Sequence, residues 1–157
     1  MPLKTILGAI LGDFVGSAYE QGETKGFSLP LVMSSSRITD DSIMIFATMD
    51  AIINNRCFED ALRDMCSNYP DVGFGSTMWQ WLAGEDAFIL DSEGNGAAVR
   101  VSPIACLPRP WSEIKVLVEQ NASTTHTSPE AITGASAFAH AIHLARKDYS
   151  RDDIMQT

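Results

Sequence analysis

The segment GAILGDFVGSAYE, residues 8–20, combines a helical pattern of apolar residues with three glycines and two carboxylates. Apolar residues recur at i, i+3, i+4 and i+7 from residue 3 to residue 18, which predicts a helix with one buried face. They are Leu3, Ile6, Leu7, Ile10, Leu11, Phe14, Val15 and Ala18. A helical wheel places Gly12, Gly16, Asp13 and Glu20 on the opposite side, with Gly8 at its margin.

The glycine-rich face of this helix needs an explanation. Each interior glycine costs a helix roughly 0.5–1 kcal/mol relative to alanine, so three of them are unexpected on a face that meets only solvent. One explanation is close packing of a second helix, with both acids in solvent. The other is a cleft wall from which Glu20, together with Asp13, faces a ligand. The spacing alone leaves both open.

The remainder of the chain also predicts helices. A second helix is expected from Asp40 to about Asn55, with Ile43, Phe46, Ala47 and Ile53 buried. Others are expected at 58–68, 75–84, 97–107 with an interruption at Pro103, 111–120 after Pro110, and 129–147 after the capping residue Ser128. Residues 84–96 predict a loop. No alternating strand pattern occurs, so we expect one all-α domain over residues 1–157.

Composition and charge limit the possible partners. Of the 157 residues, 45% are hydrophobic and 20% charged, as in an ordinary globular domain, and the net charge is −9. Nucleic acids and anionic membranes attract basic proteins, so neither is an expected partner. The three cysteines, Cys57, Cys66 and Cys106, form no C-x-x-C pair, which favours reduced, packed thiols in a cytoplasm.

The segment RITDDSIM, residues 37–44, is a candidate metal site. Thr39 suits the N-cap of the second helix, and Asp40 and Asp41 suit its first turn, which is a purely structural explanation. The alternative is a hard-cation site, because a hydroxyl and two carboxylates supply the oxygen ligands that Mg²⁺ prefers. Adjacent helical residues point about 100° apart, so two neighbouring ions would suit these acids better than one.

Two further segments are candidate anion and ligand sites. Gly94-Asn95-Gly96 precedes a predicted helix, where free backbone amides can bind a phosphate, and Arg100 lies one turn later. A simple tight turn would explain the same residues. His126 lies just before the helix at 129–147, where it can contact a ligand or simply be solvated.

Taken in order, these segments resemble the successive motifs of the ADP-ribosylglycohydrolase family. The motifs are GAILGDFVGSAYE, ITDDSIM, DVGFGSTMWQWL, GNGAAVRVSPI and STTHTSPEAITGA, and they cover nearly the whole chain. The resemblance implies an all-α, orthogonal multi-helix bundle with two Mg²⁺ ions, or Mn²⁺ in some members. It also implies hydrolysis of the glycosidic bond that links ADP-ribose to a protein side chain or another acceptor, with an ADP-ribosylated protein or an ADP-ribose-containing small molecule as substrate.

The resemblance also implies roles for individual residues. Metal ligands would be Thr39, Asp40 and Asp41, and the catalytic carboxylates would be Glu20 and Asp41. Asp13, in the G-D motif, would have a supporting role. The substrate-binding residues implied are Gly94, Asn95, Gly96, Ala97, Ala98, Val99 and Arg100 at the diphosphate, with His126 lining the cleft.

The sequence departs from the family pattern in three places. Ser42 and Val99 stand where threonine and methionine are common, and both replacements keep chemistry or volume. The late D-x-D-[ST] motif that completes the family's metal site does not occur in residues 1–157. Ser150, with Asp153 three residues later, has the pattern of a helix start, which predicts a further helix beginning near the last residue.

We therefore expect a C-terminally truncated, N-terminal portion of the family domain with impaired hydrolysis, and with self-association or a complementing chain. The alternatives are a non-catalytic ADP-ribose-binding module and a helical interaction fragment.

Overall fold

A computed structural model describes residues 2–20, 30–84 and 94–157, and its regular structure is helical. The helices are α1 (Pro2–Gly16), α2 (Asp40–Ile53), α3 (Phe58–Asn68), α4 (Ser76–Leu82), α5 (Gly96–Val99), α6 (Ser102–Ala105), α7 (Trp111–Ser123), α8 (Pro129–Ala145) and α9 (Arg151–Met155), with a 3-10 turn at Pro70–Val72. These three ranges contain no strand, and the all-α prediction is confirmed. Most of the predicted loop at 84–96 lies outside the described residues.

Local side-chain chemistry sets several helix ends. The Ser128 hydroxyl accepts a hydrogen bond from the Ala131 amide at 3.0 Å and caps α8, as the sequence predicts. Ser150 and Asp153 form the reciprocal bonds of a capping box at the start of α9. Pro103 lies in the first turn of α6, so the predicted helix at 97–107 is divided into α5 and α6.

The core is built around α2, which contacts α1, α3, α5 and α6. One apolar cluster joins α2 to α3 and α4, and a second fills the space between α5, α6, α7 and α8. A small third cluster joins α1 to α2 through Ile6 and Ile45.

The predicted buried face of α1 is wrong in part. Ile6 is 8% exposed, but Leu3, Leu7 and Leu11 are 57%, 46% and 59% exposed. The apolar residues of α1 cover more of its surface than α2 and α6 occupy, so the leucines form a stripe along its open side. Ile53, which was also expected inside, is 72% exposed because α2 ends there. Periodicity identifies an apolar stripe but not the element that covers it.

The prediction for the cysteines can be compared with the structure. Cys66 and Cys106 are buried and form no disulfide in the described chain, as expected, whereas Cys57 is exposed at the start of α3. None of the helices in the described residues has both the length and the apolar character that crossing a bilayer requires.

His143 lies buried in the last turn of α8, with its ring centroid 5.9 Å from that of Trp111. Burial lowers the pKa of its imidazole below the ordinary value of 6.5, while a hydrogen bond with the Ala105 carbonyl acts in the opposite direction. Three basic side chains lower the pKa further: Lys147, His140 and Arg146. The folded chain therefore favours neutral His143.

We expect His143 to make the protein less stable in acid. The unfolded chain binds a proton near pH 6.5 more readily than the folded chain, so this contribution to stability is present above pH 6.5 and is lost as the pH falls from 6.5 through the lower pKa of the folded chain. Thermal melts between about pH 7.5 and 5.5 should show a smaller decrease in melting temperature for His143→Gln than for wild type. A difference between the two proteins that does not change with pH would contradict this prediction.

Candidate active site

Four carboxylates gather at the N-terminus of α2. Asp40 and Asp41 form its first turn, Asp13 projects from α1, and Glu20 lies in the turn that follows α1. Asp13, Glu20 and Asp41 line a cleft of about 330 Å³, together with Gly12 and Gly16. The rest of the lining is apolar: Ala9, Ile45, Val99 and Phe138. The structure thus brings together the acids that the sequence singled out.

The glycine-rich side of α1 is one wall of this cleft. A Cβ atom added at Gly8, Gly12 or Gly16 would have no atom of the described chain within 4 Å, so close packing against another described element does not explain these glycines. Glu20 reaches the cleft by a different route from the predicted one. The prediction assumed that the helix continues to residue 20. The helix α1 ends at Gly16, so the turn at residues 17–20 positions Glu20.

Asp13 joins α1 to α2. One oxygen of its carboxylate, Oδ2, accepts hydrogen bonds from the amides of Thr39 at 3.0 Å and Ser42 at 3.2 Å, and both hydroxyls also donate to this carboxylate. Thr39 occupies the N-cap position, yet its own side chain makes no capping bond. The expected capping by Thr39 is therefore wrong, because an aspartate from a different helix satisfies these amides. The supporting role expected of Asp13 agrees with these contacts.

The acids of α2 lie in a strongly negative environment. The pKa of Asp40 is raised to about 6, mainly by burial; the negative charges of Glu20 and Asp13 act in the same direction, and a backbone hydrogen bond acts against them. Burial likewise raises the pKa of Asp41 to about 6, followed by the charges of Asp40, Asp13 and Glu20. The described lining of the cleft contains no lysine, arginine or histidine. A bound cation would relieve this repulsion.

The donor groups fit a hard cation in chemistry but do not form a complete site. Asp40 and Asp41 offer carboxylate oxygens, which Mg²⁺ prefers. Thr39 is 1% exposed, and its hydroxyl donates to Asp13. Over residues 2–20, 30–84 and 94–157, no three histidine, cysteine, aspartate or glutamate side chains converge closely enough to hold a metal ion.

Gly73 lies beside Asp40 at the acidic cleft, although the sequence did not single it out. Its φ angle is +110°, a conformation that side chains disfavour, and an added Cβ would lie 3.8 Å from Oδ1 of Asp40. The turn before α4 therefore passes close to the acidic cleft. The glycines of the DVGFGS segment, residues 71–76, were the available signal.

The segment from Gly94 to Val99 lies against α2 one turn after the acids. A Cβ added at Gly96 would be 3.5 Å from Cε1 of His126 and 3.7 Å from Sδ of Met44, and Val99 lines the acidic cleft. Gly94 and Asn95 are exposed, and Ala98 is half-buried. Ala97 is 1% exposed and belongs to the apolar core, so its side chain is not available to a ligand.

Arg100 does not occupy the position expected of a phosphate ligand. It is fully buried, and its Nε donates to Oδ1 of Asn121 at 2.8 Å. Its Nη2 donates to the Asn121 carbonyl at 2.7 Å and to Oγ1 of Thr125 at 2.8 Å. Burial lowers the pKa of this guanidinium to about 10. Arg100 thus binds the C-terminal end of α7, where helix carbonyls lack intrahelical donors.

His126 is also buried, at 4% exposure, instead of lying open in the cleft. Its Nδ1 lies 2.9 Å from Oγ1 of Thr125, and its Nε2 lies 3.2 Å from the Gly94 carbonyl. Burial lowers the pKa of this imidazole, and the charge of Arg100 lowers it further. The histidine therefore connects the buried arginine to the glycine turn. Neither Asn121 nor Thr125 stood out in the sequence.

The described helices and the carboxylate-lined cleft beside a glycine turn define an all-α protein with an acidic cleft. The family model of ADP-ribosylglycohydrolase matches residues 3–157, and the chain belongs to this family. The fold and the order of its motifs agree with that membership.

Curated relatives in several vertebrates are named ADP-ribosylhydrolase ARH3. The human protein is 27% identical over 185 residues, which cover 94% of this chain and 50% of the relative. The mouse protein is 27% identical over 187 residues with the same coverage, and the Xenopus tropicalis protein is 27% identical over 171 residues, covering 90% of this chain and 49% of the relative. The chain therefore spans about half the length of these relatives.

Proposed function

We propose that this chain supplies the acidic and substrate-binding parts of a hydrolase that cleaves the bond between ADP-ribose and a protein side chain or another acceptor. The observation that carries the proposal is the position of two features at one end of α2. The cleft with Asp13, Glu20 and Asp41 adjoins the Gly94–Val99 segment, because Val99, the last residue of that segment, lines the cleft. Family membership supplies the substrate class.

Each carboxylate has a distinct proposed role. Asp40 and Asp41, with the hydroxyl oxygen of Thr39, would hold Mg²⁺ or Mn²⁺ in a two-ion site. When bound, such ions supply positive charge that orients ribose hydroxyls and activates water. Glu20 is exposed at the mouth of the cleft, where its carboxylate can accept a proton from a water beside the anomeric carbon. Asp13 holds the start of α2 in place.

The anionic substrate is compatible with an acidic protein. The diphosphate would bind at the backbone amides of the Gly94–Gly96 turn, because amides provide local positive potential independently of net charge. Arg100 would contribute through its buried charge without touching the phosphates. We propose a cytoplasmic location, since the reduced thiols of Cys66 and Cys106 suit a reducing compartment.

We further propose that other donors complete the metal site. The family's D-x-D-[ST] motif does not occur in residues 1–157, and the open side of α1 carries exposed Leu3, Leu7 and Leu11. A polypeptide that brings those acids to the cleft would also cover the leucine stripe. It would be a complementing chain, whereas self-association of this chain would cover the leucines without supplying those acids; exposed apolar patches commonly mark such interfaces.

A second candidate function is binding of ADP-ribose without turnover. The observation in its favour is that no three potential metal ligands converge in the described residues. The binding turn and His126 would be retained in such a module. An interaction role of the helices alone is the third possibility, favoured by the leucine stripe of α1. Turnover and binding assays separate the three.

The direct test of the proposed function is calorimetric titration with ADP-ribose. We expect wild type to bind ADP-ribose but not a single-stranded oligonucleotide. Gly96→Val should weaken binding at least about tenfold, since the two γ-methyl groups of valine would displace His126 or Met44. Gly96→Ala is the matched control, because its Cβ makes only ordinary contacts. Wild type that does not bind ADP-ribose, or equal binding by Gly96→Val, would count against the assignment.

A further inference from the structure

The buried polar network around Arg100 reaches from the acid-bearing helix to the glycine turn. Asn121 accepts from Arg100 and donates from Nδ2 to Oγ1 of Thr48 at 3.3 Å, and Thr48 donates to the Met44 carbonyl on α2 at 3.0 Å. In the other direction, Arg100 donates to Thr125, which contacts His126. Arg100, Asn121 and Thr48 are each 0% exposed. Among the described residues, every acceptor of Arg100 in this network is neutral.

The donors and acceptors of this network allow one consistent assignment of protons. Nη2 of Arg100 can only donate, so Oγ1 of Thr125 accepts from it and keeps its own proton for a different partner. That partner is Nδ1 of His126, at 2.9 Å, which must then be unprotonated. The Gly94 carbonyl can only accept, so Nε2 of His126, at 3.2 Å, must carry the proton.

The two alternative states of His126 leave an unfavourable contact. With the proton on Nδ1, a bare Nε2 would face the carbonyl oxygen of Gly94, and two lone pairs would oppose each other. With both nitrogens protonated, a second cation would lie buried near Arg100, and the buried Thr125 hydroxyl would lose Nδ1 as the acceptor for its own proton. Burial and the charge of Arg100 also lower the pKa of His126, which acts against protonation.

We infer that Arg100, acting through Thr125, fixes His126 as the neutral Nε2–H tautomer, and that this imidazole is a positioning group that holds the Gly94 carbonyl and orients the substrate-binding turn relative to α2. His126 then exchanges no proton with substrate. The role in substrate binding rests on the proposed function, whereas the tautomer and its effect on the turn do not. The inference assigns Arg100 and Thr125 as positioning residues for the ADP-ribose diphosphate.

The tautomer can be measured without any ligand. Long-range ¹⁵N–¹H correlation spectra of the labelled chain at neutral pH distinguish the two ring nitrogens, and the His126 signals, among three histidines, are those missing from His126→Gln. We expect a protonated Nε2 and an unprotonated Nδ1, and a ring that stays neutral as the pH falls below 6.5. An Nδ1–H tautomer or an imidazolium at neutral pH would overturn the inference.

Thr125→Val removes the hydroxyl that connects Arg100 to His126, while Arg100 keeps both of its acceptors on Asn121. We therefore expect this variant to fold, whereas Arg100→Met would remove the whole buried network and could prevent folding. We expect it to lose the single tautomer and to shift the amide signals of Gly94, Asn95 and Gly96. Thr125→Ser should restore both. The matched control is Thr124→Val, because that hydroxyl donates to the Gln120 and Asn121 carbonyls in the described structure and not to His126, so its removal leaves the contacts of Arg100, Thr125 and His126 in place. An unchanged tautomer and unchanged turn signals in Thr125→Val would refute the inference.

The binding arm separates this inference from the proposed function. If wild type binds ADP-ribose, Thr125→Val should bind about fivefold more weakly, the worth of about one hydrogen bond, and Thr124→Val should bind as wild type does. Equal affinity of Thr125→Val and wild type would remove the positioning role at the diphosphate. Absence of binding by wild type would contradict the proposed function, while the ring tautomer would still decide the inference.

Discussion

Asp41→Ala is expected to abolish metal-dependent release of ADP-ribose when the chain is combined with a polypeptide that completes its metal site. Without that polypeptide, the wild-type chain is expected to release little or no ADP-ribose. Asp40 and Asp41 supply oxygen donors on one side of the cleft, but the described residues do not complete a metal site. A loosely held ion would not place water and ribose within the ~0.5 Å that catalysis requires. Activity should appear when a polypeptide carrying the family's D-x-D-[ST] helices is added.

The expected loss in Asp41→Ala is at least about a hundredfold, because metal-based charge stabilisation contributes several kcal/mol and each 1.36 kcal/mol is a factor of ten in rate. The assay measures ADP-ribose released from an ADP-ribosylated protein with Mg²⁺ and, in parallel, with a chelator. Asp60→Ala, an exposed carboxylate in the first turn of α3, is the matched control. Robust Mg²⁺-dependent turnover by this chain alone would show that the proposed completion of the site is unnecessary.

Asp13→Ala is expected to lower the free energy of unfolding by about 3 kcal/mol, because it leaves the half-buried amides at the start of α2 without their acceptor. Those amides belong to Thr39 and Ser42, and their hydroxyls lose the same partner. For a chain of this size, the loss corresponds to a decrease of about 6–12 °C in melting temperature. Thermal denaturation followed by far-UV circular dichroism measures it.

Two variants show whether the effect arises from capping. Asp13→Asn keeps one acceptor oxygen and removes the charge, so it should cost less than Asp13→Ala. Asp60→Ala removes an aspartate from the first turn of α3, where the interaction with the helix dipole is lost. It should lower the free energy of unfolding by only about 0.5 kcal/mol. If Asp13→Ala melts at the wild-type temperature, Asp13 does not hold α1 to α2.

Local chemistry made much of the fold predictable. The boundaries of α3, the capping of α8 by Ser128 and the capping box of α9 depend on residues a few positions apart, and all three agree with the structure. The position of Asp40 and Asp41 in a first helical turn is likewise local. The ordered motifs also indicated the family, because their identity and spacing are properties of the chain itself.

Contacts between distant segments were not predictable in the same way. Asp13 caps a helix that begins 27 positions later in the chain, at Asp40, so no local pattern marked it as that cap. The exposure of Leu3, Leu7 and Leu11 depends on which elements cover α1.

The sequence by itself determined the helices, the acidic motif, the glycine turn and the family. Only the tertiary structure decided what Arg100 and His126 do: a charge one turn after a glycine turn suggests a phosphate ligand, but the chain buries it against the end of α7. A side chain's partners are set by the segments that surround it in space. Hydrogen-bond donors buried away from water must find acceptors there, and for Arg100 those acceptors include Asn121 and Thr125, 21 and 25 positions away, and Met44, 56 positions away.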